Sequence, residues 1–185
     1  MSKRLIRETI KERLKQLQNK ENLSKIICNK VEGLNLQFNS VMLYKAMGLE
    51  VNVDSLIDKY LKNSVVYLPK VIGDDIYLVK ITKNTTYNVG AFNILEPIGD
   101  LLSPKDVNID LCITPLLGFD TNLNRLGKGK GYYDRFFAKC NPKIKLGVAF
   151  SNQLYGNDID AEPHDIKMDI IVTEDKVYEN NSRKI

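Results

Sequence analysis

The stretch that decides how this chain folds reads Arg125-Leu126-Gly127-Lys128-Gly129-Lys130-Gly131-Tyr132-Tyr133-Asp134. Glycine at every second position allows positive φ angles and a close approach of the backbone to a ligand. The apolar and aromatic residues that follow predict a helix over residues 132–140. Successive N–H groups of such a loop can converge on an anion, and the positive end of the helix adds to the attraction. The stretch therefore predicts a phosphate-binding loop in an α/β protein.

The charged residues of this stretch fit the same interpretation. Arg125, Lys128 and Lys130 bring positive charge, and Asp134 offers a carboxylate that could hold Mg²⁺ on a phosphate. The stretch differs from the dinucleotide fingerprint, whose third glycine is replaced by Tyr132, and from the phosphate loop of common NTPases. Two alternatives stay open from these residues alone: a solvated lysine–glycine turn, and an Asp134 that only pairs with the helix dipole.

Outward from this loop, apolar spacing predicts alternating helices and strands. Helices are expected over residues 5–17 and 23–33, after Asn52 as N-cap, and over 132–140. Strands are expected over residues 40–47, 65–68 (closed by Pro69), 76–81, 109–114, 144–150 and 169–173. Residues 83–107 and the segment from 115 to Gly131 are expected to be loops, and residues 180–185 to fray. Because several strands are continuously apolar, we expect an α/β fold, a single domain over residues 1–185 with a mostly parallel sheet covered by helices on both faces.

Composition narrows the functional classes. The 185 residues are 43% hydrophobic and 27% charged, with a net charge of +4 and a pI near 8.8. This charge is too modest for a dedicated nucleic-acid binder and suits a pocket for small anions. Short apolar runs and a polar beginning predict no membrane span and no signal peptide, so we expect a cytoplasmic protein without nucleic-acid or membrane partners. The cysteines Cys28, Cys112 and Cys140 are expected to be reduced and buried.

The first helix carries a basic face. Lys3, Arg7 and Lys11 follow one another at four-residue steps and so share one side of the helix. A solvated basic face is the plainer interpretation of this pattern.

Several motifs, in order along the chain, resemble the 5-formyltetrahydrofolate cyclo-ligase family, whose enzymes are also called 5,10-methenyltetrahydrofolate synthetases. Residues 125–134 resemble the family signature. The other matching segments are Lys3 to Arg7, Met47-Gly48-Leu49-Glu50, Leu68-Pro69-Lys70, Asn93-Ile94-Leu95-Glu96-Pro97, Gly118-Phe119-Asp120 and His164-Asp165-Ile166-Lys167-Met168-Asp169. Leu116 and Leu123 stand where the family usually has glycine, which puts the shape of the 115–124 loop in question.

The resemblance implies an ATP- and Mg²⁺-dependent enzyme that cyclises 5-formyltetrahydrofolate, and it implies roles for individual residues. The ATP-binding residues would be Lys3, Arg4, Leu5, Ile6, Arg7, Arg125, Leu126, Gly127, Lys128, Gly129, Lys130, Gly131, Tyr132 and Tyr133. The folate-binding residues would be Met47, Glu50, Phe92, Lys128, Gly129, Lys130, Gly131 and Tyr132. The Mg²⁺ ligands would be Asp134 and Asp165. The expected partners are the two substrates, and a monomer is expected.

Plainer interpretations stand beside these roles. Glu50 could be an exposed loop glutamate, Met47 and Phe92 plain packing residues, and the two tyrosines packing at the helix start. His164, the one histidine, is interpreted as an ordinary polar loop residue because the reaction has no evident need for a histidine base. Two other functions remain as alternatives: a sugar-phosphate isomerase, which needs a paired base and no ATP, and a nucleotide- or RNA-binding module. The isomerase would leave Lys3, Arg7 and Glu50 unexplained. The modest net charge of +4 and the lack of a stacking-aromatic pattern count against the binding module.

Overall fold

The computed structural model describes residues 2–90 and 94–180, and an eight-stranded sheet forms its centre. The strands, in chain order, are β1 Ser40–Met42, β2 Val65–Ile72, β3 Asp75–Ile81, β4 Tyr87–Val89, β5 Leu95–Pro97, β6 Leu101–Leu102, β7 Leu111–Pro115, β8 Gly118–Phe119, β9 Arg125–Leu126, β10 Ile144–Val148, β11 Ile170–Val172 and β12 Val177–Glu179. The order in the main sheet is β12-β11-β10-β7-β1-β2-β3-β6, and β4–β5 and β8–β9 form two separate antiparallel pairs. The five consecutive strands from β11 to β2 pair in parallel, whereas β3 and β12 are antiparallel to their neighbours.

Four α-helices cover this sheet: α1 Lys3–Gln16, α2 Lys20–Gly33, α3 Asp54–Tyr60 and α4 Tyr132–Lys139. In α1, Ile6, Ile10 and Leu14 recur at helical spacing and are all buried. The hydroxyl of Ser2 accepts the N–H of Leu5 at 3.4 Å and so caps the first turn.

The helices lie on opposite faces of the sheet. Since successive residues of a strand point to opposite faces, Val41 packs in the core under α1, α2 and α3, while its neighbour Met42 packs in the core under α4. In the same way, Leu111 packs in the core under α1, α2 and α3, and Cys112 packs in the core under α4. The predicted α/β fold, a mostly parallel sheet with helices on both faces, is confirmed.

The direction of chain winding changes between β1 and β7. The chain passes from β1 through α3 to β2, and from β7 through α4 to β10, so the two units extend to opposite sides of the β1–β7 pair. In open α/β sheets, ligands bind beyond the carboxyl ends of the strands at this kind of switch point. The segments that follow β1 and β7 are therefore the place to examine for a site.

Several predicted element boundaries were wrong. The strand predicted over residues 40–47 ends at Met42, because the chain leaves the sheet to form the segment that carries Met47 and Glu50. The strand predicted to close at Pro69 continues to Ile72. β1 pairs only with Val65–Tyr67, so β2 is an edge on that side at Pro69, where a missing N–H is tolerated.

Other differences are local. The segments predicted as loops contain the short strands β4, β5, β6, β8 and β9, and the strand predicted over 144–150 ends at Val148. β12 was not predicted. The N-cap of α3 is Val53 rather than Asn52, although the Asn52 side chain accepts the N–H of Asp54 at 2.9 Å. Residues 181–185, and with them most of the predicted frayed end, lie outside the described residues.

The prediction for the cysteines is confirmed. All three cysteines are free and buried. None of the helices within residues 2–90 and 94–180 has the length and apolarity that crossing a bilayer requires.

Candidate active site

A cleft lies at the carboxyl ends of β1 and β7, with a volume of about 320 Å³. Lys11 and Leu14 of α1 form one wall, the segment from Met47 to Glu50 forms another, and Leu116, Leu117 and Lys128 complete the lining. A larger depression, of about 430 Å³, lies near the amino end of β7. Two of its three lysines, Lys139 and Lys143, are paired with Asp75 and Asp110. It contains none of the predicted site residues, so the cleft at the switch point is the candidate site.

The glycine-rich loop runs along the edge of this cleft, between β9 and α4. Gly129 and Gly131 have φ angles of +97° and +67°, in the left-handed region that favours glycine. Gly131 is the N-cap of α4 and provides no side-chain cap, so the first N–H groups of α4 are left for another acceptor. Two of the three glycines of the predicted phosphate-binding loop thus have the positive φ that the sequence suggested, and Gly127 does not.

Basic side chains hold this loop from two sides. Arg7 of α1 donates from Nε to the carbonyl oxygen of Gly127 at 2.9 Å. From the other side, Arg135 of α4 donates from Nη2 to the carbonyl oxygen of Lys130, also at 2.9 Å. A β-carbon on Gly131 would lie 2.8 Å from Nη1 at the flexible end of Arg135, which can move aside, so it is the positive φ that favours glycine there.

The basic face of α1 is turned toward the cleft and the glycine loop. Lys3 reaches Asp165, Arg7 reaches the glycine loop and Lys11 lines the cleft. The residues between Lys3 and Arg7 lie elsewhere. Arg4 and Leu5 are exposed, with Arg4 paired to Glu8, and Ile6 is buried in the core.

The two predicted metal carboxylates each hold a cationic side chain. Oδ1 of Asp134 lies 2.7 Å from Nη2 of Arg125, and Oδ2 of Asp165 lies 2.6 Å from Nζ of Lys3. The N–H of Ile166 points to Oδ1 of Asp134 at 3.5 Å, which places the segment of Asp165 beside the start of α4.

Partial burial opposes the charge on Asp165, but its hydrogen bonds from Lys3 and from the N–H of Glu162 overcome this, so its pKa lies below the ordinary value. The pKa of Lys3 is raised in turn: burial works against its charge, and Asp165 and Glu162 outweigh that effect. Both groups are therefore charged at neutral pH. His164 is exposed beside Glu162 and Asp165, and ligand atoms of these three residues lie within 4.8 Å of one another.

The predicted folate residues meet the glycine loop inside the cleft. Oε1 of Glu50 lies 2.6 Å from Nζ of Lys128, and Oε2 accepts the N–H of Met47 at 2.9 Å. Nζ of Lys128 also lies 3.7 Å from the sulfur of Met47. The side chain of Glu50 is only 9% exposed, which excludes the plainer interpretation of an exposed loop glutamate. Phe92 lies outside the described residues.

The two tyrosines of the signature differ in environment. The ring of Tyr132 lies near two cations, 6.0 Å from Nζ of Lys130 and 5.3 Å from Cζ of Arg135. The ring of Tyr133 packs against Phe136 and Phe137, and burial raises its pKa well above the ordinary value. Tyr133 thus contributes packing at the helix start, which was the alternative for both residues.

Sequence reasoning assigned no role to Asp120, which organises the loop under the cleft. Asp120 is fully buried, and its carboxylate accepts the N–H groups of Asn122, Asn124 and Ile159 and the side-chain amide of Asn124, at 2.8 to 3.0 Å. The spacing Asp120-x-Asn122-x-Asn124 is typical of Asx-type turns and was the available signal.

Both leucines that depart from the family pattern are accommodated. Leu116 packs its side chain against Gly147 of β10, where a β-carbon would lie 2.8 Å from Cδ1 of Leu116. Leu123 has a φ angle of +65° and is buried. The turn therefore keeps the left-handed conformation that glycine would favour.

Fold and site together define an α/β protein with a glycine-rich loop suited to an anion and, beside it, a partly apolar cleft. Comparison with known proteins identifies its family. The family model described as the 5-formyltetrahydrofolate cyclo-ligase family matches residues 1–174. The chain belongs to the 5-formyltetrahydrofolate cyclo-ligase family, a family of enzymes, and the resemblance found in its motifs is confirmed.

Individual relatives span most of the chain. It is 29% identical to the 5-formyltetrahydrofolate cyclo-ligase of Mus musculus, over 94% of both chains. It is 32% identical to a probable 5-formyltetrahydrofolate cyclo-ligase of Schizosaccharomyces pombe, over 76% of this chain and 78% of that protein. The solution structure of Aquifex aeolicus 5,10-methenyltetrahydrofolate synthetase, 32% identical, superimposes with a TM-score of 0.84 over 100% of this chain and 96% of the other.

Proposed function

We propose that the protein catalyses the ATP- and Mg²⁺-dependent cyclisation of 5-formyltetrahydrofolate to 5,10-methenyltetrahydrofolate, with release of ADP and phosphate. One observation carries the proposal beyond the family relationship: Lys128 of the glycine loop touches Glu50 and Met47 in the same cleft. A nucleotide phosphate on the loop and a pterin ring at Glu50 would therefore be neighbours. A single domain, a monomeric state and a cytoplasmic location stay predictions.

The ATP phosphates are assigned to the loop of residues 127–131 and the start of α4. Positive φ angles at Gly129 and Gly131, the uncapped helix start and the nearby Arg7, Lys128 and Lys130 support this assignment. Anions bind at such helix starts through backbone N–H groups, and basic side chains add charge-assisted hydrogen bonds.

The pterin ring of the folate is assigned to Glu50. A carboxylate can accept two N–H groups at once, as the N–H pattern of a pterin edge requires. The apolar side of the cleft, with Met47, Leu116 and Leu117, suits the flat ring. A volume of about 320 Å³ is at the lower end of ordinary ligand pockets, so it fits the ring system rather than the whole folate.

Mg²⁺ is assigned to Asp134 and Asp165. Carboxylate oxygens are the protein ligands that this hard cation prefers, and the contact of Ile166 with Asp134 supports their neighbourhood. Bound there, Mg²⁺ would neutralise charge on the phosphates of the nucleotide. Arg125 pairs with Asp134 and Lys3 pairs with Asp165, so both carboxylates already face a cationic group.

The chemical difficulty is a formamide oxygen on N5 that leaves poorly. Attack of this oxygen on the γ-phosphorus of ATP forms an O–P bond, releases ADP and converts the oxygen into part of a phosphate leaving group. N10 then attacks the formyl carbon and loses its proton, and the C–O bond breaks with release of phosphate. The protein mainly has to position the two substrates and compensate charge, as in other phosphoryl transfers.

Two measurements test the proposal. The purified protein, incubated with 5-formyltetrahydrofolate, Mg²⁺ and ATP, should develop the absorbance of the methenyl product, and reactions without ATP or with a non-hydrolysable analogue should not. Substrate labelled with oxygen-18 in the formyl group should yield labelled inorganic phosphate. Absence of methenyl product under all conditions would reject the activity. Unlabelled phosphate from fully labelled, fully converted substrate would reject formyl phosphorylation.

A further inference from the structure

The ion pair between Lys128 and Glu50 closes the folate side of the cleft. The Glu50 side chain is only 9% exposed, whereas that of Lys128 is 47% exposed. Lys128 therefore covers Glu50 from the solvent side. Both carboxylate oxygens have partners, Lys128 on Oε1 and the N–H of Met47 on Oε2.

This arrangement conflicts with a pterin ring that pairs with Glu50. The N–H groups of the ring need the oxygen that Lys128 now holds, so Lys128 has to leave before the ring can bind. Breaking the ion pair of a nearly buried carboxylate costs free energy. Folate binding is therefore weakened as long as Lys128 has no partner other than Glu50.

Lys128 has an alternative partner close by. Its backbone belongs to the glycine loop, so a phosphate held by the loop would lie within reach of its side chain. A lysine ammonium is a point charge on a flexible stem, and a half-exposed one can turn without disturbing the core.

We propose that Lys128 is a positioning residue that exchanges partners and thereby couples the two substrates. Without nucleotide it occupies Glu50; with a phosphate on the loop it turns to the phosphate and releases Glu50 to the pterin. Nucleotide binding then strengthens folate binding, and by linkage folate strengthens nucleotide binding by the same factor. This inference rests on the proposed function, because it requires that both substrates bind in this cleft.

The test measures the dissociation constant of 5-formyltetrahydrofolate with and without a saturating non-hydrolysable ATP analogue and Mg²⁺, at the same pH and ionic strength throughout. In the parent protein the analogue should tighten folate binding by about 5- to 150-fold, the usual range of such couplings. Lys128→Met should bind folate more tightly than the parent when nucleotide is absent, and the analogue should then add little.

Two matched variants separate partner exchange from loss of charge. Lys11→Met removes a lysine from another wall of the same cleft and should leave the coupling as in the parent. Lys128→Arg keeps a cation for Glu50 and should retain the coupling. A merely structural role of Lys128 would weaken folate binding in Lys128→Met.

The outcomes are distinct. Weaker folate binding by Lys128→Met without nucleotide, or a coupling as large as in the parent, would overturn the partner exchange while leaving the proposed function intact. If neither the ATP analogue nor 5-formyltetrahydrofolate binds the parent protein, the proposed function fails, and the inference fails with it.

Discussion

Arg125 and Asp134 stand on either side of the glycine loop and are joined by an ion pair, with Nη2 2.7 Å from Oδ1. The Arg125 side chain is 4% exposed and that of Asp134 18%, so the pair is largely removed from water. Arg125 belongs to β9 and Asp134 to the first turn of α4. The pair therefore fixes the two ends of the loop relative to each other, whatever the loop binds.

Asp134→Asn should destabilise the fold, because it leaves a buried guanidinium without its charge partner. Removing one partner of a buried pair typically costs about 3–5 kcal/mol, and the partial exposure of Asp134 places the expected loss at the lower end. Urea unfolding of the variant measures this. Asp75→Asn, which breaks the exposed pair with Lys139, is the control and should cost much less, because exposed ion pairs contribute little to stability. Equal losses in the two variants would mean that the Arg125–Asp134 pair contributes no more than a surface pair.

The magnesium assignment predicts a separate effect. Asp134→Asn and Asp165→Asn should each raise the Mg²⁺ concentration needed for half-maximal rate, because an amide oxygen is a weaker ligand for this cation than a carboxylate. Titrating Mg²⁺ at saturating ATP and folate measures it, with Asp75→Asn again as control. Titration curves that overlay the parent for both variants would make these carboxylates structural only.

Lys130→Ala should weaken ATP use far more than folate binding. Losing one charge-assisted contact to a phosphate costs about 1.5–3 kcal/mol, or about 10- to 100-fold in the KM for ATP. Arg125→Ala should also weaken ATP use more than folate binding, although it breaks the pair with Asp134 as well. The control is Lys139→Ala at the far end of α4. An unchanged ATP dependence in Lys130→Ala would remove this lysine from the nucleotide site.

At Leu123 we expect the glycine variant to be more stable than the alanine variant, the reverse of the usual order. Its φ angle of +65° costs a non-glycine residue about 1–2 kcal/mol. Both Leu123→Ala and Leu123→Gly lose a buried side chain worth about 2–5 kcal/mol, but only glycine relieves the backbone strain. The glycine variant should therefore be more stable than the alanine variant by about 1 kcal/mol.

The same two substitutions at Leu117 provide the control. Leu117 is also buried and is not among the positive-φ residues, so alanine should be the more stable variant there by about 0.5–1 kcal/mol. Thermal or urea unfolding of the four variants decides it, and alanine favoured at both positions would contradict strain at Leu123.

Acid stability should depend on Asp110, whose carboxylate joins the starts of β1 and β7. The ammonium of Lys143 and the N–H groups of Asn39 and Ser40 lower its pKa to about 2, against the opposing effect of burial. Because the folded pKa lies below the ordinary value of about 3.9, the ionised group stabilises the fold above pH 4, and this contribution disappears as the pH falls toward 2. The stability difference between the parent and Asp110→Asn should thus be constant near neutrality and shrink between about pH 4 and 2. A difference that does not change over this window would contradict the assignment.

The sequence predicted the parts of the site that depend on local pattern. The glycines at positions 129 and 131 predicted positive φ angles. The four-residue spacing of Lys3, Arg7 and Lys11 predicted that they share one helical face. Neither pattern specifies which distant segments of the chain come into contact. That Lys128 holds Glu50, or that Arg125 holds Asp134, depends on how β1, β7 and α4 are arranged, and no local spacing encodes it.

Boundary errors had the same origin. Residues 43–47 are largely apolar and are buried up to Tyr44, but the β1–β2 ladder ends at Met42, with a last backbone hydrogen bond from the N–H of Leu43 to the carbonyl oxygen of Tyr67. Conversely, Pro69 stopped the predicted strand because its lost N–H is harmful in a central strand, while in the sheet that position has an open side. Both cases were decided by neighbours that the local sequence does not show.

The contact of Lys3 with Asp165 joins segments 162 residues apart in the chain. During synthesis at about 5–20 residues per second, α1 is made roughly 8 to 30 seconds before the carboxylate that Lys3 will meet. The contact of Arg7 with Gly127 also spans most of that interval. A growing chain can thus form the β1–β2–β3 half of the sheet on the ribosome, but it cannot assemble the nucleotide side of the cleft until nearly all of it has been translated.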